Sequence, residues 1–169
     1  FDQPGEIITR MNRTLSNLMP PGFFVAGCCS VLNINTWRMS YTHFGLPSPG
    51  IYRASSGRFE ALKPCQVPIG IKQDAVYPQK EIAFREGDKL LLFTDGCNEQ
   101  KNIRGEYLGV KRFIAEFRRL ADSKSTKIVS GLYRYIQNFS GGTRRHSDDV
   151  AILLFEFKKR ANGSKSPRT

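Results

Sequence analysis

The chain has 169 residues, of which 40% are hydrophobic and 24% are charged, and this composition excludes a fibrous or intrinsically disordered protein. The length is sufficient for one domain with a hydrophobic core. The formal net charge is +11, but the basic residues are scattered without interleaved aromatic residues, so a solvated basic surface is a better interpretation than a nucleic-acid groove. An acidic or phosphorylated partner would also suit this charge. Five of the positive charges lie in the terminal segment 158–169, which we expect to be a disordered basic tail.

Membrane insertion and cysteine chemistry are both disfavoured. The apolar runs stop well short of the ~18 residues that a membrane span needs, and no signal peptide opens the chain. Because the first residue is Phe1 rather than Met, we expect the sequence to be part of a longer protein. The four cysteines, Cys28, Cys29, Cys65 and Cys97, lack the CxxC spacing of metal sites, so we expect them to be buried free thiols in a reducing cytoplasm. Cys28 and Cys29 are adjacent in a predicted strand and are therefore expected on its opposite faces.

The first half of the chain predicts one helix and two β-hairpins. Ile7, Met11, Leu15 and Leu18 fall on one face at helical spacing, with Pro4 near the start of the helix. The runs FFVAGCCSVLNI and RMSYTHF predict an antiparallel hairpin, and IYRAS and RFEALK predict a second hairpin with short arms. The segment PCQVPIGIKQDAVYPQ carries three prolines and is expected to be mostly irregular.

The second half predicts a third hairpin, two helices and a closing strand. The hairpin arms are KEIAFRE and KLLLFTDG, and the closing strand is VAILLFEF. The second helix has Ser125 as a plausible N-cap. The predicted strands come mostly before the two helices, a single strand follows them, and strands and helices do not alternate as in βαβ units. This order indicates an α+β fold with antiparallel sheets. The apolar stripes that predict the helices are Val110, Phe113, Ile114, Phe117 and Leu120, and Ile128, Val129, Leu132, Ile136 and Phe139.

Carboxylates stand at the ends of two predicted strands. Asp95 ends LLLFTD, whereas Asp148 and Asp149 precede VAILL, so the three carboxylates converge if these strands are antiparallel neighbours. Clustered aspartates need a counter-charge, and oxygen ligands suit Mg²⁺ or Mn²⁺. Gly96 would then let the backbone approach the metal or its water closely. The structural alternative is that Asp-Gly after a strand is a turn and SDD before a strand is a loop cap.

The two acidic motifs occur together in a pattern that is more specific than either alone. FREGDKLLLFTDGCNEQKNIRGEYLG, followed at the far end by SDDVAILLFEF, resembles the stage II sporulation protein E-type branch of the PPM family of metal-dependent protein phosphatases. VPIG, and MNRTL ahead of FFVAGCCSVLN, are also similar to the family pattern, which places residues 4–157 in register. The resemblance implies an αββα sandwich, two antiparallel sheets with helices outside, that is incomplete at its N-terminus.

The resemblance also implies a reaction. Residues 1–157 would be the C-terminal portion of a phosphatase domain in which two Mn²⁺ or Mg²⁺ ions activate a water for attack on phosphoserine or phosphothreonine. Asp95 and Asp148 would bind metal, with Asp149 as a further candidate, and no catalytic residue beyond these ligands is expected in this chain. A covalent phosphoenzyme is not needed, so Cys97 is interpreted as packing. The implied substrate is a phosphorylated bacterial signalling protein in the cytoplasm, such as an anti-sigma-factor antagonist, with neither nucleic acid nor membrane as a partner.

The sequence departs from the family pattern in three places. Leu46 stands where the family's AGHPP loop has its histidine, and His43 lies too early to replace it. Ala151 stands where threonine is usual. The family's upstream GDxxD and DVxGHG segments are absent, which leaves about half of a two-metal site, so we expect weak or no activity from this chain alone. The alternative function is a catalytically dead scaffold that binds signalling partners, and unpaired sheet edges would favour self-association.

Overall fold

Two stacked β-sheets with helices on their outer faces form the protein in the computed structural model, which describes residues 3–63, 65–142 and 148–159. Helix α1 spans Pro4–Leu15, α2 spans Val110–Leu120 and α3 spans Ser125–Phe139. Helix α1 packs on one sheet, whereas α2 and α3 pack on the other. This arrangement confirms the α+β sandwich with outer helices. In the described part of the chain, no helix has both the length and the apolar character to cross a membrane.

The first sheet is built around a central strand. Strand β2 pairs with its hairpin partner β1 in an antiparallel register that runs from Gly27 opposite Phe44 to Asn33 opposite Arg38, which confirms the first predicted hairpin. Strand β5 pairs with β2 in parallel over two residues, an exception to the expected antiparallel sheets. The strands of this sheet are β1 (Gly27–Asn33), β2 (Arg38–Phe44), β5 (Cys65–Gln66) and β6 (Lys80–Ala83).

The second sheet is wholly antiparallel and has the strand order β4-β3-β7-β8. Its strands are β3 (Gly50–Arg53), β4 (Arg58–Ala61), β7 (Lys89–Phe93) and β8 (Ile152–Glu156). The pairing of β3 with β4 confirms the second hairpin, and the pairing of β7 with β8 confirms that the two strands carrying the acidic motifs are antiparallel neighbours. The C-terminal end of β7 and the N-terminal end of β8 therefore lie side by side at one end of the second sheet.

The third predicted hairpin is wrong. Strand β6 pairs with β2 in the first sheet, whereas β7 lies between β3 and β8 in the second, so the chain crosses between the sheets after residue 83. Asp88 fixes this crossing, because its buried carboxylate accepts hydrogen bonds from the backbone N–H groups of Arg85 and Ala54 at 3.0 and 3.1 Å. Phe84 at the crossing stacks on Phe157 with ring centroids 3.8 Å apart.

The buried face of α1 also differs from the predicted one. Ile8 and Asn12 are the buried residues in the middle of this helix, and the predicted Leu15 packs against the same cluster as Ile8. The predicted Met11 and Leu18, in contrast, are 43% and 72% exposed. Asn12 faces inward because its amide donates to the carbonyl oxygens of residues 72 and 73 and accepts from the Gly70 N–H. A buried amide with three backbone partners outweighs the apolar spacing on which the prediction depended.

The apolar stripes on α2 and α3 are confirmed except at Val110, which is 42% exposed, and the predicted helix cap is wrong. Phe113, Phe117 and the three α3 residues Ile128, Leu132 and Ile136 are fully buried against the second sheet. Helix α3 starts at Ser125, preceded by Lys124 at the N-cap position without a side-chain cap. The Ser125 hydroxyl instead donates to the Glu156 carboxylate on β8, which ties the start of the helix to the end of that strand.

All four cysteines are free thiols, as expected, but they are not all buried. Cys97 is buried, Cys28 and Cys29 are half-buried, and Cys65 is exposed because it lies on the short strand β5. Cys29 packs with the α1 residues, whereas Cys28 lies opposite His43.

Strand β8, which follows the second acidic motif, lies at one edge of the second sheet. Among the strands that the structure describes, β8 pairs with β7 alone. Two of its apolar side chains are solvent-accessible, Leu153 at 54% and Phe155 at 48%. Lys158 and Lys159 form salt bridges with Glu156 and Glu86. The tail residues 160–169 lie outside the described residues, so the disordered tail stays a prediction, as does self-association.

The buried histidine predicts a dependence of stability on pH. His43 is fully buried, its Nε2 contacts the Leu62 carbonyl oxygen at 2.9 Å, and its Nδ1 finds no hydrogen-bond partner among the described residues. Burial lowers the pKa of His43 more than the bond to Leu62 raises it.

Because of this lowered pKa, His43 binds a proton more readily in the unfolded chain than in the folded chain. The free energy of unfolding is therefore expected to decrease as the pH falls below the ordinary histidine pKa of ~6.5. Urea unfolding from about pH 7 to pH 5.5 should show this decrease, and His43→Gln should make the dependence shallower; an unchanged slope in the variant would contradict the assignment.

Candidate metal site

The ends of β7 and β8 bring the two acidic segments together. The last strand pair is Phe93 opposite Ile152, and the ladder continues for one further residue because the Thr94 N–H donates to the Ala151 carbonyl at 3.1 Å. Asp95 follows directly on one side of this contact, while residues 148 and 149 precede it on the other. The sequence expectation that the two acidic segments converge is confirmed at the level of the backbone.

Thr94 joins the two segments through its side chain. Its hydroxyl donates to the Asp149 carbonyl at 2.7 Å and accepts from the Ala151 N–H at 3.0 Å. One side chain therefore fixes the backbone on both sides of residue 150. Sequence reasoning missed this residue, although a hydroxyl side chain directly before an Asp-Gly pair was a visible signal.

Gly96 is in close contact with the segment that carries the aspartate pair. A Cβ at position 96 would overlap the Asp149 carbonyl oxygen. It would also lie 2.8 Å from the Asp149 carbonyl carbon and 3.1 Å from the Asp148 carbonyl oxygen. All three are backbone atoms, which cannot turn aside as a flexible side chain can. The glycine therefore allows one backbone to approach the other, and its predicted approach to a metal or its water stays a prediction.

The carboxylates of Asp95 and Asp148 are held in similar ways. Asp95 begins a 3₁₀ turn, Asp95–Cys97, in which its Oδ1 accepts from the Gly96 N–H at 3.0 Å. Asp148 Oδ1 accepts from the Asp149 N–H at 2.7 Å. Within the described residues, the second oxygen of each carboxylate makes no hydrogen bond. Asp148 and Asp149 are exposed and Asp95 is half-buried, so all three can be reached from solvent.

The donor chemistry fits a hard cation, but the set is incomplete. Carboxylate oxygens without sulfur or imidazole are the ligands that Mg²⁺ and Mn²⁺ prefer. Within residues 3–63, 65–142 and 148–159, however, no three or more His, Cys, Asp or Glu side chains form a group that could hold a metal ion. The structure thus brings the segments of Asp95, Asp148 and Asp149 together without forming a full ligand set from their side chains.

Two neighbouring side chains support the turn. Gln100 donates from its Nε2 to the Gly96 carbonyl oxygen at 2.8 Å, a contact that sequence reasoning also missed. Cys97 is fully buried, and its thiol donates to the Ala151 carbonyl oxygen at 3.3 Å. Burial raises the pKa of Cys97 to about 11, which keeps the sulfur in its poorly nucleophilic thiol form near neutral pH. This agrees with the interpretation of Cys97 as a packing residue.

The fold and the paired acidic motifs are those of a PPM-type phosphatase domain, the class also called PP2C. Within that class, the chain belongs to the family described as Stage II sporulation protein E (SpoIIE), whose model matches residues 2–158.

Three relatives illustrate the relationship. Phosphoserine phosphatase RsbU of Bacillus subtilis (strain 168) is 22% identical over 153 residues, which is 89% of this chain and 44% of RsbU. The SiaA-PP2C domain of Pseudomonas aeruginosa superimposes with a TM-score of 0.75 at 20% identity and covers 92% of this chain and 60% of its own. The phosphatase domain of SpoIIE from Bacillus subtilis, presoaked with Mn, gives a TM-score of 0.63 at 15% identity, with coverages of 92% and 66%. The chain therefore spans less than half the length of RsbU, and the solved structures share its fold.

Proposed function

We propose that the protein is a metal-dependent phosphatase that hydrolyses phosphoserine or phosphothreonine in other proteins. The observation that carries this proposal is the backbone contact at Gly96, supported by the two hydrogen bonds of the Thr94 hydroxyl, which hold the Asp95 segment against residues 148–151. A turn or a loop cap alone does not require two acidic segments from distant parts of the chain to be locked together.

In this proposal Asp95, Asp148 and Asp149 supply oxygen ligands to Mn²⁺ or Mg²⁺, and further ligands come from outside the described residues. The metal pair, when bound, supplies an activated water and stabilises charge on the transferring phosphoryl group. The part played by this chain is to orient the carboxylates. The bonds from the Gly96 and Asp149 N–H groups each occupy one oxygen of Asp95 and Asp148 and leave the other to face a cation.

The proposed substrate is a phosphorylated signalling protein of the cytoplasm, of the anti-sigma-factor-antagonist type. RsbU, which is similar to this chain, is a phosphoserine phosphatase. The net charge of +11 would also favour encounter with a phosphorylated, negatively charged protein.

A specific observation also favours a second candidate, a scaffold without catalysis. The described residues do not contain three grouped metal-binding side chains, and a dinuclear site that lacks ligands does not hold its activated water. Such a scaffold would keep the phosphatase-like surface and bind the same signalling partners without hydrolysing them.

Manganese-dependent hydrolysis of p-nitrophenyl phosphate separates these functions. We expect the full-length protein to hydrolyse it, and Asp95→Asn to lose at least ~100-fold in rate, because a carboxylate ligand is replaced by a neutral amide. Asp122→Asn is the matched control, since Asp122 is an exposed aspartate between α2 and α3, and this variant should keep full activity. Equal rates in the wild-type protein and Asp95→Asn would reject the site. Absence of hydrolysis in a folded wild-type protein would favour the scaffold.

A further inference from the structure

A polar groove of about 620 Å³ runs between α2 and α3, on the side of the two helices that faces solvent. Its floor is narrow at Gly131, where a Cβ would lie 2.8 Å from Leu120 Cδ1, so the two helices approach each other closely there. The walls carry charged and hydroxyl-bearing side chains rather than an apolar stripe. The described residues that line the groove do not include Asp95, Asp148 or Asp149, so a ligand in the groove would not need the proposed metal site.

Two of the cations that line the groove, Lys127 and Arg134, lie on α3. Lys127 and Arg134 are seven residues apart, with Ser130 between them, and all three are exposed and line the groove. Residues three, four and seven apart share one face of a helix, and seven residues correspond to a rise of about 10.5 Å. The two cations therefore form a row along the groove rather than a single cluster.

The opposite wall neutralises its own charge. Arg119 on α2 donates two hydrogen bonds to the Glu116 carboxylate, at 2.8 and 2.6 Å, and these bonds lower the pKa of Glu116 and keep it ionised. In contrast, neither Lys127 nor Arg134 makes a side-chain hydrogen bond or salt bridge within the described residues. The uncompensated charge of the groove thus comes from the α3 row.

We propose that this groove binds an acidic helix of a protein partner, whose carboxylates are seven residues apart and pair with Lys127 and Arg134. A third helix can pack against two helices that are already in contact, because the side chains of the third helix enter the groove between the first two. A second α-helix repeats its own face with the same ~10.5 Å rise over seven residues, so the row of cations and a row of acids match in length. The phosphates of a nucleic-acid strand would be attracted to the same two cations, so a single-stranded oligonucleotide serves as the competing probe.

The test uses the 169-residue chain and a designed peptide. The probe is an alanine-rich helical peptide of about 22 residues with a glutamate at every seventh position, and the control peptide has the same composition with its glutamates distributed around the helix. We expect fluorescence anisotropy at low salt to show tighter binding of the first peptide. Lys127→Glu together with Arg134→Glu should weaken this binding at least ~10-fold, because two attractions become repulsions.

The matched control reverses the same number of charges at the same spacing. Lys111 and Arg118 are exposed on α2, are also seven residues apart and lie outside the groove, so Lys111→Glu with Arg118→Glu should weaken binding no more than ~3-fold. Lys127→Gln with Arg134→Gln provides a milder pair of changes should charge reversal prevent folding, which circular dichroism would report. The proposal would be overturned if the two charge-reversal pairs weakened binding equally, if the two peptides bound equally well, or if the wild-type chain bound neither peptide. It would also be overturned if a single-stranded oligonucleotide bound more tightly than the peptide and this binding depended on the groove.

Discussion

The Gly96→Val variant is expected to lose about 3 kcal/mol of free energy of unfolding, together with any metal binding at the acidic motifs. The added side chain would overlap the Asp149 carbonyl group and press on the Asp148 carbonyl oxygen, and the backbone must move to relieve these contacts. That movement would separate the Asp95 turn from the segment that Thr94 holds. Urea denaturation measures the stability loss, and titration with Mn²⁺ measures the site.

Gly105→Ala is the control for this effect. Gly105 has a φ of +76° but nothing within 4 Å of a Cβ, so alanine there is strained only by its backbone conformation and should cost about 1 kcal/mol. Gly96 is not among the described glycines with a positive φ, so its cost comes from the collision alone. A loss at Gly96 no greater than that at Gly105 would show that the two segments are not in close contact in solution.

The Asp88→Ala variant is expected to lose about 3 kcal/mol, because it removes one partner of a buried ion pair and two backbone hydrogen bonds. The Asp88 side chain is 1% exposed, and its Oδ2 accepts from Arg53 at 2.8 Å while its two oxygens also accept from the N–H groups of Ala54 and Arg85. Without the carboxylate, the Arg53 guanidinium and both N–H groups lose this partner. Urea denaturation at neutral pH measures the loss.

A matched exposed ion pair provides the comparison. Arg38 and Glu81 lie 3.1 Å apart with side chains 61% and 57% exposed, so Glu81→Ala should change stability by about 0.5 kcal/mol or less. Similar losses for Asp88→Ala and Glu81→Ala would indicate that the crossing between the sheets does not depend on Asp88. Asp88→Asn should be intermediate, since an amide keeps part of the acceptor capacity.

The sequence alone determined most of the secondary structure and the pairing of the acidic strands. The apolar stripes on α2 and α3 were readable because apolar residues recur at helical spacing on one face of each helix. The buried members are Phe113 and Phe117 on α2, and Ile128, Leu132 and Ile136 on α3. The first two hairpins were readable because each turn is short and local. The approach of the Asp95 segment to the segment of Asp148 and Asp149 followed from two paired motifs and the assumption that their strands are antiparallel neighbours, which the register of β7 and β8 satisfies.

Only the tertiary structure decided the contacts between distant segments. Strand β6 joins β2 rather than β7, and Asn12 rather than Met11 is buried, because backbone groups elsewhere in the chain supply the hydrogen-bond partners. The steric role of Gly96 and the row formed by Lys127 and Arg134 beside the neutralised wall of α2 likewise depend on which segment lies opposite. Local periodicity predicts which face of an element is apolar. The identity of the facing segment depends on long-range packing and hydrogen bonding, which the local pattern does not encode.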